Sequence, residues 1–157
     1  MKHVNFILII IITFGFLGVV DSTILLDIHN NNNVGKESQY CKVSSPCDIV
    51  DKSNFSEIYG IPISVFGIIF YLLIITVCFF NLFYKRYFHY ILLTLAGLGF
   101  IASIILFYVM KFQIGAVCPY CLLSEVINIF IAIFAAIYTK KTLSELLRKH
   151  VDEIHKA

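Results

Sequence analysis

An all-α integral membrane fold, four helices packed as one bundle, is what this sequence predicts, and three observations predict it. Of its 157 residues, 59% are hydrophobic, and the mean hydropathy is +0.87, far outside the range of a soluble domain. Four apolar segments, about Val4–Val20, Ile61–Phe83, Tyr90–Met110 and Ala116–Tyr138, each approach the roughly 20 residues that a bilayer core of about 30 Å demands of a helix. Basic residues gather at the second link and the tail, the asymmetry that orients spans in a membrane. Backbone amides in lipid must pair within the protein, which makes packed helices the economical solution. The net charge of +2 is small and scattered, and no Gly-rich phosphate loop occurs. Nucleic-acid and nucleotide binding are therefore excluded.

The first segment, "MKHVNFILIIIITFGFLGVVDS", also has the basic start and apolar core of a secretory signal peptide. Its cleavage region, Gly18-Val19-Val20, matches small-x-small poorly, and removal would cost the bundle a wall; a retained helix is the expectation. An outer loop over residues 21–60 follows, with three lysines against six acids. It opens on "STILLDIH", either more of the first helix or an interfacial turn, and passes through "NNNNVGKES", which reads as a mobile connector. Next comes "YCKVSSPCDIVDKSNFSEIYGIP", with turn formers between two cysteines and with Pro62 near the first turn of the second span. Within that span Cys78 reads as a small buried hydrophobe. The second link carries Lys85 and Arg86, the third span offers Gly97, Gly99 and Ser103 for close approach, and the third link has only Lys111. The fourth span opens on "CPYC" and is interrupted by Glu125 alone. The tail, residues 140–157, alternates Leu143, Leu146, Leu147, Val151 and Ile154 with basic residues, the pattern of an amphipathic helix on the inner membrane surface. Residues 1–139 thus form the membrane domain, both termini are cytoplasmic, and four of the five cysteines face outward.

Cys118 and Cys121 form C-x-x-C, and Pro119 fits the first helical position, which puts Cys118 at or near the N-cap. Unpaired amides and the positive end of the helix dipole stabilise a thiolate there. Cys41 and Cys47 lie on the flexible outer loop on the same side of the membrane. A mobile pair and a fixed pair facing one compartment can form a thiol–disulfide relay. An inert Cys41–Cys47 disulfide and a zinc site made of all four sulfurs are the alternative readings. With no haem, iron–sulfur or dinucleotide signature, a two-electron acceptor dissolved in the lipid, such as a quinone, is the natural outlet for a dithiol at a bundle mouth.

The joint pattern Cys41-x5-Cys47, Ser53 six residues on, "YGIPISVFGIIFY" opening the second span and "CPYC" opening the fourth resembles the vitamin K epoxide reductase family, its bacterial branch most closely. The resemblance covers roughly Tyr40 to Tyr138. It implies a four-helix bundle around a quinone pocket and a membrane thiol:quinone oxidoreductase that supports disulfide formation. In that relay Cys41 exchanges with a thioredoxin-fold (DsbA-like) partner, Cys47 passes electrons to Cys118, and Cys121 reduces the quinone. Ser53 matches the family's serine near the quinone ring, and Phe55, Phe66 and Phe70 fall where aromatics wall the pocket. No metal is expected.

Two positions depart from the animal enzymes, which hold the quinone oxygens with an Asn and a Tyr; Ile63 and Glu125 stand there in this chain. A respiratory quinone (ubiquinone or menaquinone type) is therefore expected ahead of vitamin K epoxide. Glu125 lies four residues after Cys121, on the same helix face, and a carboxyl inside a span is a functional suspect by default; it is read here as a quinone-site group. Bacterial relatives often carry a fused thioredoxin domain, and the short tail leaves that partner to a separate chain. The compartment expected is a bacterial inner membrane. The rival class is a non-catalytic membrane protein with structural disulfides.

Overall fold

A computed structural model describes residues 2–33, 45–53, 55–83 and 88–154 of the chain. The elements run α1 (Lys2–Asn33), α2 (Pro46–Asp51), β1 (Glu57–Ile58), β2 (Ile61–Pro62), α3 (Ile63–Phe83), α4 (Phe88–Tyr108), a π-helical stretch (Val109–Ile114) and α5 (Pro119–Ile154). Four helices are long and apolar enough to cross a membrane, over Asn5–Asn31, Ile63–Phe83, Phe88–Ile114 and Pro119–Glu145. The chain is a four-helix membrane bundle. Each long helix packs on two others, α1 on α3 and α5, and α4 on α5 and α3, which closes the ring.

Close approach has a visible cause. A side chain at Gly18 would meet the Tyr71 ring, its Cβ 2.4 Å from Tyr71 Cε1, and one at Gly99 would meet Phe70 Cζ at 2.4 Å. Bare backbone at these two crossings lets a large aromatic of α3 pack directly against each neighbour.

Apolar side chains build two cores. The larger lies within the membrane and includes Leu8, Ile11, Tyr71, Ile74, Cys78, Leu92, Ala96, Ile131 and Tyr138. The smaller lies at one end of the bundle, where Ile28, Cys47, Met110 and Cys118 meet. Cys47 and Cys118 are thus core residues in their own right.

The structure moves three boundaries. The expected outer loop does not begin at residue 21, because α1 continues to Asn33. Proline is absent before Pro46, and Ile24, Leu25 and Ile28 resume the apolar face beyond the polar Asp21-Ser22-Thr23. Thr23 Oγ1 returns its proton to the Val19 carbonyl at 2.7 Å, so even this polar step stays helical. Asn30–Asn33, expected in a connector, belong to the helix, and Asn31 Nδ2 donates to the Asp27 carbonyl at 2.9 Å. The tail does not separate as its own surface helix. With neither Gly nor Pro after Pro119, nothing interrupts α5 before Ile154.

The third boundary is the third link. The helix runs on through a π-helical stretch to Ile114 and stops at Gly115, whose φ of 72° is the left-handed conformation that glycine adopts freely. Between α2 and α3 the chain makes a two-residue hairpin, Ile58 opposite Ile61, with φ of 54° at Tyr59 and 78° at Gly60. Positive φ at both central residues is the turn that matches strand twist.

Candidate active site

The smaller core is assembled from three local solutions. Ser45 caps α2, its Oγ accepting from the Asp48 amide, and Pro46 occupies the first helical position. This puts Cys47 in the first turn, 4% exposed and packed into the smaller core. The reading of Cys47 as part of a flexible loop is corrected here: a capped helical turn and apolar contacts fix it. Cys41 lies outside the described residues.

The second solution is at α5. Leu122 N donates to the Cys118 carbonyl at 3.0 Å and Pro119 opens the helix, so Cys118 stands just before it, 1% exposed. The π-helical stretch supplies the third. It turns Met110 inward, and the Met110 sulfur accepts from the Cys118 amide at 3.3 Å.

These pieces bring the sulfurs of Cys47 and Cys118 to 2.9 Å of each other. That separation is less than an ångström beyond the ~2.05 Å of a disulfide bond. Cys121, partly exposed, donates its thiol to the Cys118 sulfur, and the amides of Cys121 and Tyr120 point at the same atom. The Cys121 hydrogen bond first, then those from Cys47 and the two amides, outweigh burial and hold the Cys118 thiol well below its ordinary range, at about 6.

A polar latch holds α2 in place. His29, on the part of α1 that extends past the expected loop boundary, is 5% exposed. Its Nδ1 lies 2.9 Å from Asp51 Oδ1 and its Nε2 3.1 Å from Glu57 Oε1. One ring thereby ties α1 to the end of α2 and to β1.

The remaining candidates are placed as follows. Ser53 lies two residues past the end of α2, its Oγ donating to the Val50 carbonyl at 2.7 Å and its carbonyl accepting from Ser56 Oγ at 2.9 Å. Phe55 and Phe66 are exposed, while Phe70 packs edge-on to Tyr71, ring centroids 5.4 Å apart. Phe66 and Phe70 are one turn apart on α3; among the described residues no ring contact joins Phe55, Phe66 and Phe70 to one another. Glu125 is half-buried on α5 and makes no hydrogen bond or ion pair with a described residue.

The sequence reading did not find Asp21, Tyr71, Ser124, Met110 or His29. Ser124 Oγ donates to Asp21 Oδ2, and Tyr71 Oη donates to the Ser124 carbonyl at 3.2 Å. Asp21 looks like a loop residue because the apolar run stops at Val20. The signal for it was the return of Ile24, Leu25 and Ile28 at helical spacing.

A model describing the vitamin K epoxide reductase family matches residues 9–136. The chain belongs to this family. No curated protein matches it. As a vitamin K epoxide reductase family member with four spans, it is an integral membrane oxidoreductase. Family membership implies a quinone of the vitamin K kind as substrate or acceptor. The family match reaches from α1 into α5 and so takes in Cys47, Cys118, Cys121 and the helices that bring them together.

The environment of Cys118 predicts its titration. Its thiolate should form as pH rises through about 6, against about 8.5 for an unperturbed thiol. Cys121→Ala removes the largest stabilising hydrogen bond and should move the midpoint upward. Ultraviolet thiolate absorbance of the reduced protein, as the difference from Cys118→Ala, measures both; an unchanged midpoint in Cys121→Ala would exclude that cause.

Proposed function

We propose that this chain is a membrane thiol:quinone oxidoreductase, with its cysteines on the extracytoplasmic face, that draws electrons from a thioredoxin-fold protein and delivers them to a quinone. The observation that carries this reading is the buried contact of Cys47 with Cys118, 2.9 Å between sulfurs, beside a third thiol, Cys121, that hydrogen bonds to Cys118. Three thiols so placed can exchange a disulfide in line.

The relay balances in thiols. The partner's dithiol reduces a Cys41–Cys47 disulfide and leaves as the partner's own disulfide. The Cys47 thiolate attacks Cys118 of a Cys118–Cys121 disulfide and releases Cys121 as a thiolate. The Cys41 thiolate then attacks Cys47, restoring Cys41–Cys47 and releasing Cys118. Two electrons and two protons from Cys118 and Cys121 pass to the quinone, and the inner disulfide re-forms. A Cys118 thiol held at about 6 is a good leaving group in the third of these steps.

The basic links in the sequence, Lys85 and Arg86 in one and the tail lysines in the other, support an orientation with the cysteine end outside. Ile63 and Glu125, in place of the animal enzymes' Asn and Tyr, support a respiratory quinone over vitamin K epoxide. Ser53, Phe55, Phe66, Phe70 and Glu125 remain the proposed quinone-site groups. The test is purified protein in lipid with a reduced thioredoxin-fold donor and a quinone. Donor-dependent consumption of quinone, one quinone per donor disulfide formed, is expected; donor oxidation without loss of quinone would exclude the acceptor.

A further inference from the structure

Asp21 is a carboxyl inside a membrane span, 2% exposed, on the stretch of α1 that crosses with α3 and α5. One oxygen, Oδ2, accepts from Ser124 Oγ. The other, Oδ1, is buried without a hydrogen-bond partner among the described residues. If the role of Asp21 were only to anchor Ser124, an amide would serve as well without the cost of an ionisable group in lipid. The carboxylate can take the Ser124 proton at Oδ2, with no second donor at Oδ1 competing to hold it ionised. Ser124 follows Cys121 by one helical turn, about 5–6 Å between Cβ atoms.

Resting on the thiol:quinone reading, we propose that Asp21 handles the proton of the inner dithiol: through the Ser124 hydroxyl it takes the proton leaving the Cys121 thiol and gives it up as electrons pass to the quinone. The step balances. Cys121–SH and the Asp21 carboxylate become thiolate and carboxylic acid, with Ser124 accepting one proton and donating its own. Cys118 and Cys121 then form their disulfide as two electrons leave. The carboxylic acid supplies one of the two protons of the quinol and returns to carboxylate, and the Cys118 proton supplies the other. Asp21 acts through Ser124 and is a positioning residue for the proton.

The titratable groups around it are few. α3 contributes the Tyr71 hydroxyl, bound to the Ser124 carbonyl, and no charged residue; α5 contributes Cys121 and, at the next position after Ser124, Glu125. Tyr71 lies against Gly18, three residues before Asp21 on α1, so the cluster is held rigidly.

Asp21→Asn keeps an acceptor for Ser124 and loses the proton site, which separates proton transfer from structure. Quinone reduction should fall about a hundredfold, with loss of the pH dependence seen in the parent, while Cys47–Cys118 exchange driven by dithiothreitol without quinone stays at the parental rate. Asp21→Glu should restore part of the rate. Parental quinone reduction and an unchanged pH profile in Asp21→Asn would overturn the proposal. Infrared spectra of the reduced protein without quinone give an independent reading. A protonated-carboxyl band that titrates, disappears in Asp21→Asn and persists in Glu125→Gln is expected, and identical spectra for parent and Asp21→Asn would also overturn it. If the parent consumes no quinone, the thiol:quinone reading fails, and the infrared comparison alone decides whether Asp21 carries the proton.

Discussion

Cys121→Ser is expected to lower quinone reduction by about two orders of magnitude or more and, combined with Cys41→Ser, to accumulate a Cys47–Cys118 disulfide. The sulfurs of Cys47 and Cys118 already stand 2.9 Å apart in a core that excludes solvent. Oxidation of the double variant leaves Cys47 as the thiol beside Cys118 among the described residues, and neither serine can displace it. The bridge therefore persists where the native protein would resolve it. Peptide mapping under non-reducing conditions, together with quinone consumption, checks both halves. A variant that consumes quinone at the parental rate would remove Cys121 from the electron path. A double variant with no Cys47–Cys118 bridge would mean that α2 does not stay docked as it is seen.

His29→Ala is the second large effect, and it acts on that docking. The imidazole is buried between two carboxylates, Asp51 on α2 and Glu57 on β1, a geometry that a ring donating at both nitrogens satisfies. Removing it takes a partner from the Asp51 carboxylate, which is only 16% exposed. Losing one partner of such a contact costs about 1–3 kcal/mol, about 5- to 150-fold in the docking equilibrium of α2. Alkylation of Cys47 in the reduced protein should rise by a factor in that range, because the undocked segment exposes a thiol that is now 4% exposed. His29→Gln, which can still donate to one carboxylate, should fall between. Unchanged protection of Cys47 in His29→Ala would mean that the apolar packing of Ile28, Met110 and Val50 suffices to hold α2.

Hydrophobicity and length carry most of what was legible. A run of some 20 apolar residues has one stable form in lipid, so the four spans and their bundle follow from composition. Pro119 likewise announces the start of α5 and with it the position of Cys118. Helix ends were harder to read. A polar residue such as Asp21 ends a hydropathy window without ending a helix; beyond Val20 in α1 and beyond Pro119 in α5 there is neither proline nor glycine, and both helices ran past the expected bounds.

The cysteine string, the spans and the family pattern were properties of the sequence by itself, because they depend on residue type and on spacing along one chain. The tertiary structure alone decided that Cys47 lies against Cys118, 71 residues away, and that His29 reaches Asp51 and Glu57. It also set Asp21, on the opposite side of the sequence from Ser124, at that hydroxyl beside Cys121. Such contacts depend on how α1 crosses α3 and α5, and that crossing is set by bare backbone at Gly18 under the Tyr71 ring, a fit in three dimensions with no periodicity to betray it.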